Sequence, residues 1–316
     1  MIIFLTTLLY SYNLVDIYRF EGKEVLSKHI EKLLANEQYW LKYLSNKDVR
    51  FGYFETNKDL LVCVKKEKVL KVFKWKKNSF KLIDSFNVLT GLNGDKKKEG
   101  DLKTPVGVYT LLSIIKNPDP FYGPFAFETS YPNLYDRIHQ KDGHGIWIHG
   151  VPLKGKRDSN NTKGCIVMQN DKLKKLRNEI VYKNCFLLIA ENSVLTATKK
   201  EIAQILSFIY RWRNAWKNND FKRYKMFYDS EFMRSDGKSL KKFLEYKKRV
   251  FESKKNQKVE IFFSDINIIP YQNINNEKIF RINMLEKYLS RTYQFEGNKE
   301  LYVKITDNDI KIIVEK

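Results

Sequence analysis

The stretch GIWIHGVPLKGKRDSNNTKGCIVMQNDKLKKL, residues 145 to 176, decides how the middle of this chain folds. An apolar run ends in a histidine, a polar loop follows, and a glycine precedes a cysteine and a second apolar run. The first run predicts a strand, the segment up to the cysteine predicts a flexible loop and a tight turn, and DKLKKLRNEI predicts a helix capped by Asn170 or Asp171. His149 and Cys165 stand sixteen positions apart, so only neighbouring strands or a folded loop can bring them together.

The histidine and the cysteine allow two interpretations. A thiol becomes a nucleophile when its thiolate is populated, and a nearby imidazole is the usual cause. Gly150 and Gly164 let the backbone approach closely at both positions, and N–H groups around such a turn suit an oxyanion hole. The residues alone leave open whether Cys165 is catalytic or a core thiol packed as a small hydrophobe.

Hydrophobic periodicity divides the rest of the chain. Residues 14 to 48 repeat apolar positions at three- and four-residue steps, which predicts helix. Short β-branched and aromatic runs from about residue 50 to 192 predict a mostly β region, with a proline-rich loop before GIWIHG. Residues 198 to 228 and SLKKFLEYKKRVFES predict helices, and three strand-like runs finish the chain: KVEIFFSDINIIPY, KIFRINMLEKYLS and ELYVKITDNDIKIIVEK.

We therefore predict a mixed α/β multidomain protein with three parts. A signal-like start and helical segment occupies residues 1–48, a mostly β domain residues 49–195, and an α+β domain residues 196–316. Helices followed by a curved antiparallel sheet are typical of α+β domains. The aromatic residues of the helix over 198 to 228 either line a pocket in that last domain or fill it.

Charge predicts the kind of partner. The chain carries 58 Lys and Arg against 37 Asp and Glu, a formal net charge of +21. This excess either favours anionic partners such as an acidic polymer or is a solvated Lys-rich surface. Residues 196 to 316 hold 26 Lys and Arg against 16 Asp and Glu, so the charge is spread along the chain. A basic nucleic-acid tail would concentrate it, and we expect no nucleic-acid partner.

The apolar start, MIIFLTTLLYSYN, is too short to span a bilayer, and we expect no integral membrane segment. It matches the core of a secretory signal, without a basic region before it or a clear cleavage site; an ordinary apolar first element is the alternative. The three cysteines, Cys63, Cys165 and Cys185, are an odd number, so at least one stays unpaired in an oxidising compartment.

The motif around His149 and Cys165 resembles a known family. His149-Gly150, separated by fifteen intervening residues after the histidine from a cysteine in the run Thr162 to Ile166, TKGCI, resembles the catalytic domain of the L,D-transpeptidases, the YkuD family. GDLKTPVGVYTL, residues 100 to 111, resembles the family's TPxGxY strand, and AFETSYPNLYD and GHGIWIHG resemble its approach to the site. The resemblance covers roughly residues 50 to 192.

The resemblance implies roles for individual residues. Cys165 attacks the carbonyl of a peptide stem, His149 is its base, and the Gly150 carbonyl orients the imidazole. Thr162, Lys163 and Gly164, in the motif itself, are expected to contact substrate.

Two aromatic residues near the motif, Trp147 and Tyr131, are candidates for lining the stem-peptide groove. As aromatics they fit a core position equally well.

Two positions depart from the family pattern. Lys163 stands where many members have a second histidine, and Val167 where many have arginine. The second departure removes a substrate-carboxylate contact, for which Lys163, Arg157 and Lys154 are candidate replacements. These two departures leave open which acceptor, water or an amine, reacts with the acyl-enzyme.

The C-terminal run FIYRWRNAWKNNDFKRYKMFY and the strands after it resemble an NTF2-like cone. With the helical start and the catalytic domain, the whole resembles the murein L,D-carboxypeptidases that set cell shape in helical Gram-negative bacteria. This implies a periplasmic enzyme, exported by an N-terminal signal sequence, that trims tetrapeptide stems of peptidoglycan to tripeptides by releasing D-alanine. It also implies a homodimer formed through the N-terminal segment.

Two alternatives stay open: an L,D-transpeptidase that forms cross-links, and an inactive basic wall-binding protein. We expect neither a metal nor another cofactor. His139, His144 and His149 repeat every five residues, and at this spacing their side chains would point in different directions on either a helix or a strand, so they could not bind one metal ion together. No Cys/His pair has zinc spacing. Asp142 and Glu128 could orient His149 but fit surface positions better.

Overall fold

The structure, a computed structural model, describes residues 13–155, 161–255, 257–306 and 309–316. The signal-like run and Arg157 lie outside these residues. The helices of the described residues are α1 Leu14–Leu34, α2 Glu37–Tyr43, α3 Leu134–Ile138, α4 Asn170–Glu179, α5 Lys199–Lys217, α6 Phe221–Tyr224 and α7 Leu240–Ser253. The strands are β1 Tyr53–Phe54, β2 Lys58–Val64, β3 Val69–Lys76, β4 Ser79–Asn87, β5 Gly107–Lys116, β6 Phe125–Thr129, β7 Trp147–Gly150, β8 Ile166–Met168, β9 Cys185–Ala190, β10 Tyr228–Arg234, β11 Glu260–Pro270, β12 Ile279–Leu289, β13 Gln294–Ile305 and β14 Ile310–Glu315.

The N-terminal segment is helical, as its periodicity predicts. Asparagine side chains cap both helices: Asn13 accepts hydrogen bonds at the start of α1, and Asn36 at the start of α2. The Trp40 ring of α2 stacks on Tyr210 of α5, with ring centroids 5.6 Å apart. The segment therefore packs against the C-terminal part of the chain.

The first sheet has eight strands in the order β4-β3-β2-β9-β5-β6-β7-β8. It confirms the mostly β middle of the chain. Two of its strands were not predicted: β6 lies within the proline-rich loop region, and β8 has only three residues. β7 and β8 run parallel and side by side, with His149 opposite Val167, so the sheet closes the gap between the two halves of the motif.

The second sheet has six strands in the order β1-β11-β12-β13-β14-β10, with α5 packed on it, and forms the NTF2-like part. Two predictions here were wrong. The last strand-like run is two antiparallel strands, β13 and β14, and the sheet is not wholly antiparallel because β10 pairs with β14 in parallel.

The long helix predicted over 198 to 228 ends at Lys217. Asn219 then adopts a positive φ of 56°, a conformation that asparagine tolerates and that ends the helix. The short helix α6 and a 3-10 turn follow, and Tyr228 already belongs to β10. The apolar spacing continues across this break because both sides face one core.

The two sheets share a core. β1 pairs with β11 of the second sheet, Tyr53 opposite Ile268, although it precedes the first sheet in the chain. An apolar cluster joins residues of both sheets, including Phe54, Phe186 and Tyr302. The predicted domain boundaries, at residues 49 and 196 of the chain, stay a prediction. In the structure, β1 belongs to the sheet that is otherwise formed by C-terminal strands.

A buried polar cluster also joins the two parts. The Tyr271 hydroxyl, on the segment after β11, lies 3.2 Å from Asp136 Oδ1, and Lys141 Nζ lies 2.9 Å from the same atom. Lys141 also pairs with Asp95 at 2.7 Å. Burial opposes protonation of Lys141, but the two carboxylates outweigh it and raise its pKa. The cluster fixes the loop that runs from α3 to β7.

Candidate functional site

Cys165 stands on a tight turn that is built by hydrogen bonds. The Thr162 hydroxyl donates to the Cys165 carbonyl at 2.6 Å and accepts from the Gly164 N–H at 3.0 Å. Gly164 has a φ of +125°, and a Cβ there would lie 2.9 Å from the Lys103 carbonyl oxygen. Only glycine fits this position, and the turn presents Cys165 at the start of β8.

His149 lies near the end of β7 and is buried. Its Nδ1 lies 2.7 Å from the Gly150 carbonyl oxygen, which can only accept a hydrogen bond, so Nδ1 carries the proton in the neutral ring. Nε2 is then the basic nitrogen. The Tyr122 ring packs edge-on against the imidazole, with centroids 4.9 Å apart, and fixes its plane.

The two residues line one cavity of about 840 Å³, which we call the thiol cavity. Within it, the Cys165 Sγ lies 3.4 Å from the Gly145 carbonyl oxygen and 3.4 Å from the Trp147 backbone nitrogen. The Trp147 N–H can donate to a thiolate, which favours the charged form of the sulfur. A nucleophile, a base of defined tautomer and space for a substrate therefore occur together.

The loop of residues 95–103 forms one wall of the thiol cavity. Lys96 Nζ lies 2.8 Å from Asp101 Oδ1, and the backbone N–H groups of Lys97 and Lys103 donate to the same carboxylate. Burial opposes ionisation of Asp101, but these donors outweigh it and lower its pKa to about 2. The loop therefore keeps its charge and its shape throughout the neutral pH range.

The candidate substrate-binding residues occupy different positions. Thr162 and Lys163 line the thiol cavity, whereas Gly164 is buried behind the nucleophile. Trp147 is half-buried and packs against Tyr122, with centroids 5.1 Å apart. Tyr131 is buried and its hydroxyl donates to the Asp142 carbonyl at 2.8 Å, which anchors the loop before β7.

The residues that depart from the family pattern, and the candidate replacements for the lost carboxylate contact, differ in their exposure to the thiol cavity. Val167 is buried between the strand of His149 and Leu89, so it takes no part in the cavity lining. Lys154 is exposed on the loop after β7, and Lys163 is exposed at the cavity itself. Of the described candidates for a carboxylate contact, Lys163 has the best placement.

Asp142 and Glu128 were candidates for orienting His149. The hydrogen-bond partner of His149 Nδ1 in the structure is the Gly150 carbonyl oxygen, and not the carboxylate of either residue. Asp142 Oδ1 accepts from the Glu99 N–H, and Glu128 from the Ser113 hydroxyl.

Gly150 leaves room for another side chain. A Cβ at Gly150 would lie 1.9 Å from the Asn170 Oδ1 atom. Asn170 is the first residue of α4, and the preceding Gln169 makes no capping hydrogen bond, so the predicted cap at Asn170 or Asp171 was wrong. The asparagine points back to the strand that carries the imidazole because glycine leaves the space.

Sequence reasoning missed several residues of the thiol cavity. Tyr122 and Phe121 come from a 3-10 turn in the proline-rich loop, and Asn161 precedes the TKGC motif. A loop has no periodicity from which its contacts can be predicted. The glycine after Tyr122, with φ of 79°, was the one local signal of a tight turn there.

The other two cysteines differ from Cys165 in their surroundings. Cys63 and Cys185 are buried in β2 and β9. Burial raises the pKa of the Cys63 thiol to about 12 and that of Cys185 well above its usual value. Both are therefore inert thiols at neutral pH, and reagents that need a thiolate distinguish them from Cys165.

Aromatic rings and buried ions fill the interior of the NTF2-like part. Trp212 and Tyr224 are fully buried there, and Lys299 pairs with Glu315. Lys247 Nζ lies 4.4 Å from the centroid of the Trp216 ring. Burial lowers the pKa of Lys247 to about 8, and the nearby Lys299 contributes, while Glu315 opposes the change.

No helix within the described ranges is long and apolar enough to cross a membrane. Likewise, no group of three His, Cys, Asp or Glu residues within those ranges is placed to hold a metal ion.

Family models match both parts of the chain. The L,D-transpeptidase catalytic domain, YkuD, matches residues 58–188, and the Cds6 C-terminal NTF2-like domain matches residues 204–316. YafK of Escherichia coli, an L,D-transpeptidase homologue, is 33% identical over 88 residues. That match spans 27% of this chain and only 35% of YafK, about a third of the relative's length.

Two solved structures are similar over most of the chain. The helical cell shape determining protein Pgp2 from Campylobacter jejuni is 40% identical with a TM-score of 0.83, over 89% of this chain and 99% of Pgp2. Bd1075 of Bdellovibrio bacteriovorus is 28% identical with a TM-score of 0.67, over 85% of this chain and 96% of Bd1075. Both comparisons include the catalytic and the NTF2-like parts together.

Proposed function

This chain belongs to the YkuD family of L,D-transpeptidase catalytic domains, joined to an NTF2-like C-terminal domain, and from that premise we propose that it is a peptidoglycan L,D-carboxypeptidase. It trims tetrapeptide stems to tripeptides in the periplasm and contributes to cell shape. The observation that carries the proposal is the thiol cavity, in which Cys165 and a His149 of fixed tautomer face the same space. The similarity to Pgp2 over its whole length supports the role in shape.

The proposed reaction uses the chain's own groups in two halves. His149 Nε2 takes the thiol proton, Cys165 Sγ bonds to the carbonyl carbon of diaminopimelate, and the C–N bond breaks as D-alanine leaves with that proton. His149 then takes a proton from water, whose oxygen attacks the acyl-enzyme and releases the tripeptide as the thiol reforms. The Gly150 carbonyl supports the imidazolium in both halves.

The second candidate is cross-link formation by transfer of the acyl group to an amine, which the family match and YafK favour. The test incubates the purified protein with tetrapeptide muropeptides and separates the products by chromatography. We expect tripeptide and D-alanine alone. Cross-linked dimers would show transfer instead, and unchanged substrate would support the third alternative, an inactive wall-binding protein.

We also propose that the protein forms a homodimer through α1. Five apolar side chains of this helix are exposed: Leu14, Val15, Tyr18, Phe20 and Val25. The backbone of α1 is non-helical at Gly22, with φ of 83°, and beyond this kink Glu31 pairs with Arg213 and Lys217 of α5, which fixes the second part of the helix to the rest of the chain. A helical segment with several exposed apolar side chains, next to an anchored one, is suited to pairing with a second copy.

The dimer proposal predicts a change of mass for one variant. Val15→Glu with Phe20→Glu places two charges on the exposed side, where burial against a second copy becomes unfavourable. We expect light scattering to give half the mass of the native protein. Lys23→Glu, on the same helix, is the control and should leave the mass unchanged; a native protein that is already monomeric would contradict the proposal.

A further inference from the structure

A second cavity, of about 560 Å³, adjoins the thiol cavity, and we call it the junction cavity. His144 and Gly145 line both cavities. The Gly145 carbonyl oxygen lies 3.4 Å from Cys165 Sγ, so the two spaces meet beside the sulfur. A chain molecule bound over Cys165 can therefore continue past Gly145 from one cavity into the other.

Both parts of the protein form the junction cavity. Trp147, Pro132 and Arg137 come from the catalytic part, and Arg281, Glu300 and Lys316 from the NTF2-like part. The Trp147 ring also packs on Tyr122 of the thiol cavity, so one aromatic surface runs from cavity to cavity.

The charges of the junction cavity favour an anion. Glu300 lies 2.9 Å from the Arg281 guanidinium, so these two charges offset each other, whereas Glu128, which accepts from the Ser113 hydroxyl, keeps its negative charge and is outnumbered by two remaining cations. The other two cations, Arg137 and Lys316, are exposed, and no ion pair among the described residues involves either of them.

Arg281 holds the two parts of the protein together at the wall of the junction cavity. It is buried, and its guanidinium also donates to the Val108 carbonyl at 2.9 Å, so it joins β12 to β5 of the catalytic part. Arg137 donates to the Pro132 carbonyl at 2.6 Å, which fixes the guanidinium at the cavity wall. A positioned guanidinium and an ammonium that line the same cavity are suited to binding carboxylates.

We infer that the junction cavity binds the carboxylate-bearing body of the stem peptide, so that the NTF2-like domain supplies substrate-binding residues to the catalytic site. This inference rests on the proposed function. Upstream of the scissile bond, the stem carries the α-carboxylate of its glutamate, which is attached to diaminopimelate through its side chain. With the scissile carbonyl at Cys165, that carboxylate lies on the part of the peptide that passes over Gly145 towards Arg137 and Lys316.

The experiment compares two tetrapeptide stems that differ only at this carboxylate, one with the free acid and one with the amide. We expect the native enzyme to show a KM about tenfold lower for the acid, the effect of one charge-assisted contact, at equal kcat. Arg137→Gln with Lys316→Gln should lose that preference by raising KM for the acid only. Lys311→Gln with Lys287→Gln, an equal loss of two positive charges on β14 and β12 outside the junction cavity, is the control and should keep the preference.

A binding measurement separates this inference from the proposed function. Cys165→Ala protein titrated with the same two peptides gives the preference as a ratio of Kd values, without any reaction. Preferential binding of the acid with no cleavage by the native protein would overturn the carboxypeptidase and keep the cavity assignment. Cleavage with equal KM and Kd for acid and amide, or a preference that survives in the double variant, would overturn the cavity assignment.

Discussion

Cys165→Ala protein is expected to release no tripeptide from tetrapeptide stems, a loss of at least about 10⁴-fold in kcat because removal of a catalytic nucleophile leaves only binding effects. The substitution removes one sulfur atom at a partly exposed position, and we expect the midpoint of thermal unfolding to change little. Chromatography of the muropeptides measures the first effect and circular dichroism the second. Together they separate loss of chemistry from loss of fold.

Serine at the same position tests whether the thiolate is needed. A hydroxyl is far less acidic than a thiol, so Cys165→Ser should be nearly as inactive as the alanine variant. Cys63→Ser is the matched control, because burial raises the pKa of that thiol to about 12 and it lies outside the thiol cavity. Activity of Cys165→Ala equal to that of the native protein would overturn the assignment of the nucleophile.

His149→Ala is expected to lower kcat by about 10²- to 10⁴-fold, the usual contribution of a general base. It should also slow alkylation of Cys165 by iodoacetamide at neutral pH, because the thiol loses the group that takes its proton. Mass spectrometry of the modified peptide reports on Cys165 alone. The pKa values of Cys63 and Cys185 are raised by burial, so these thiols react slowly.

A second histidine provides the control for this measurement. His139 is exposed, lies at the end of α3 and contacts the Tyr135 ring rather than the thiol cavity. His139→Ala should leave both alkylation and tripeptide release unchanged. If alkylation of Cys165 proceeds equally fast in His149→Ala protein, then His149 only supports the end of its strand and another residue is the base.

The pair at the centre of the site was predicted from the resemblance of its motif to a known family, because the residues alone left the role of Cys165 open. His149 and Cys165 each lie in an apolar run next to glycine, and such local patterns survive folding because both runs enter the same sheet. The roles of these residues remain predictions until the variants are measured.

Other parts of the site depend on contacts that no local pattern specifies. Tyr122 reaches His149 from a loop, and Lys316 reaches the junction cavity from the other domain. Tyr131, a candidate for the stem-peptide groove, lines the junction cavity, and its hydroxyl also anchors a backbone loop; its contact with a substrate stays a prediction.

Elements of the fold were missed for a similar reason. β8 is three residues long, too short for a period to be recognised, and it exists because β7 and Leu89 pair with it on either side. The helix over 198 to 228 was predicted too long. The apolar residues of α5 and α6 keep a helical spacing because both helices pack on one core, although the chain turns at Asn219 between them.

The pairing of β1 with β11 has a consequence for the order in which the protein takes shape during synthesis. Tyr53 and Phe54 are made early, but their partners Ile268 and Asn267 follow more than two hundred residues later. Contacts between such distant positions form slowly, because a long loop must close before they stabilise anything. The apolar cluster around Phe54 therefore stays open until the last strands arrive, whereas the cluster that supports β7 and β8 consists of residues between 61 and 189 and can close before them.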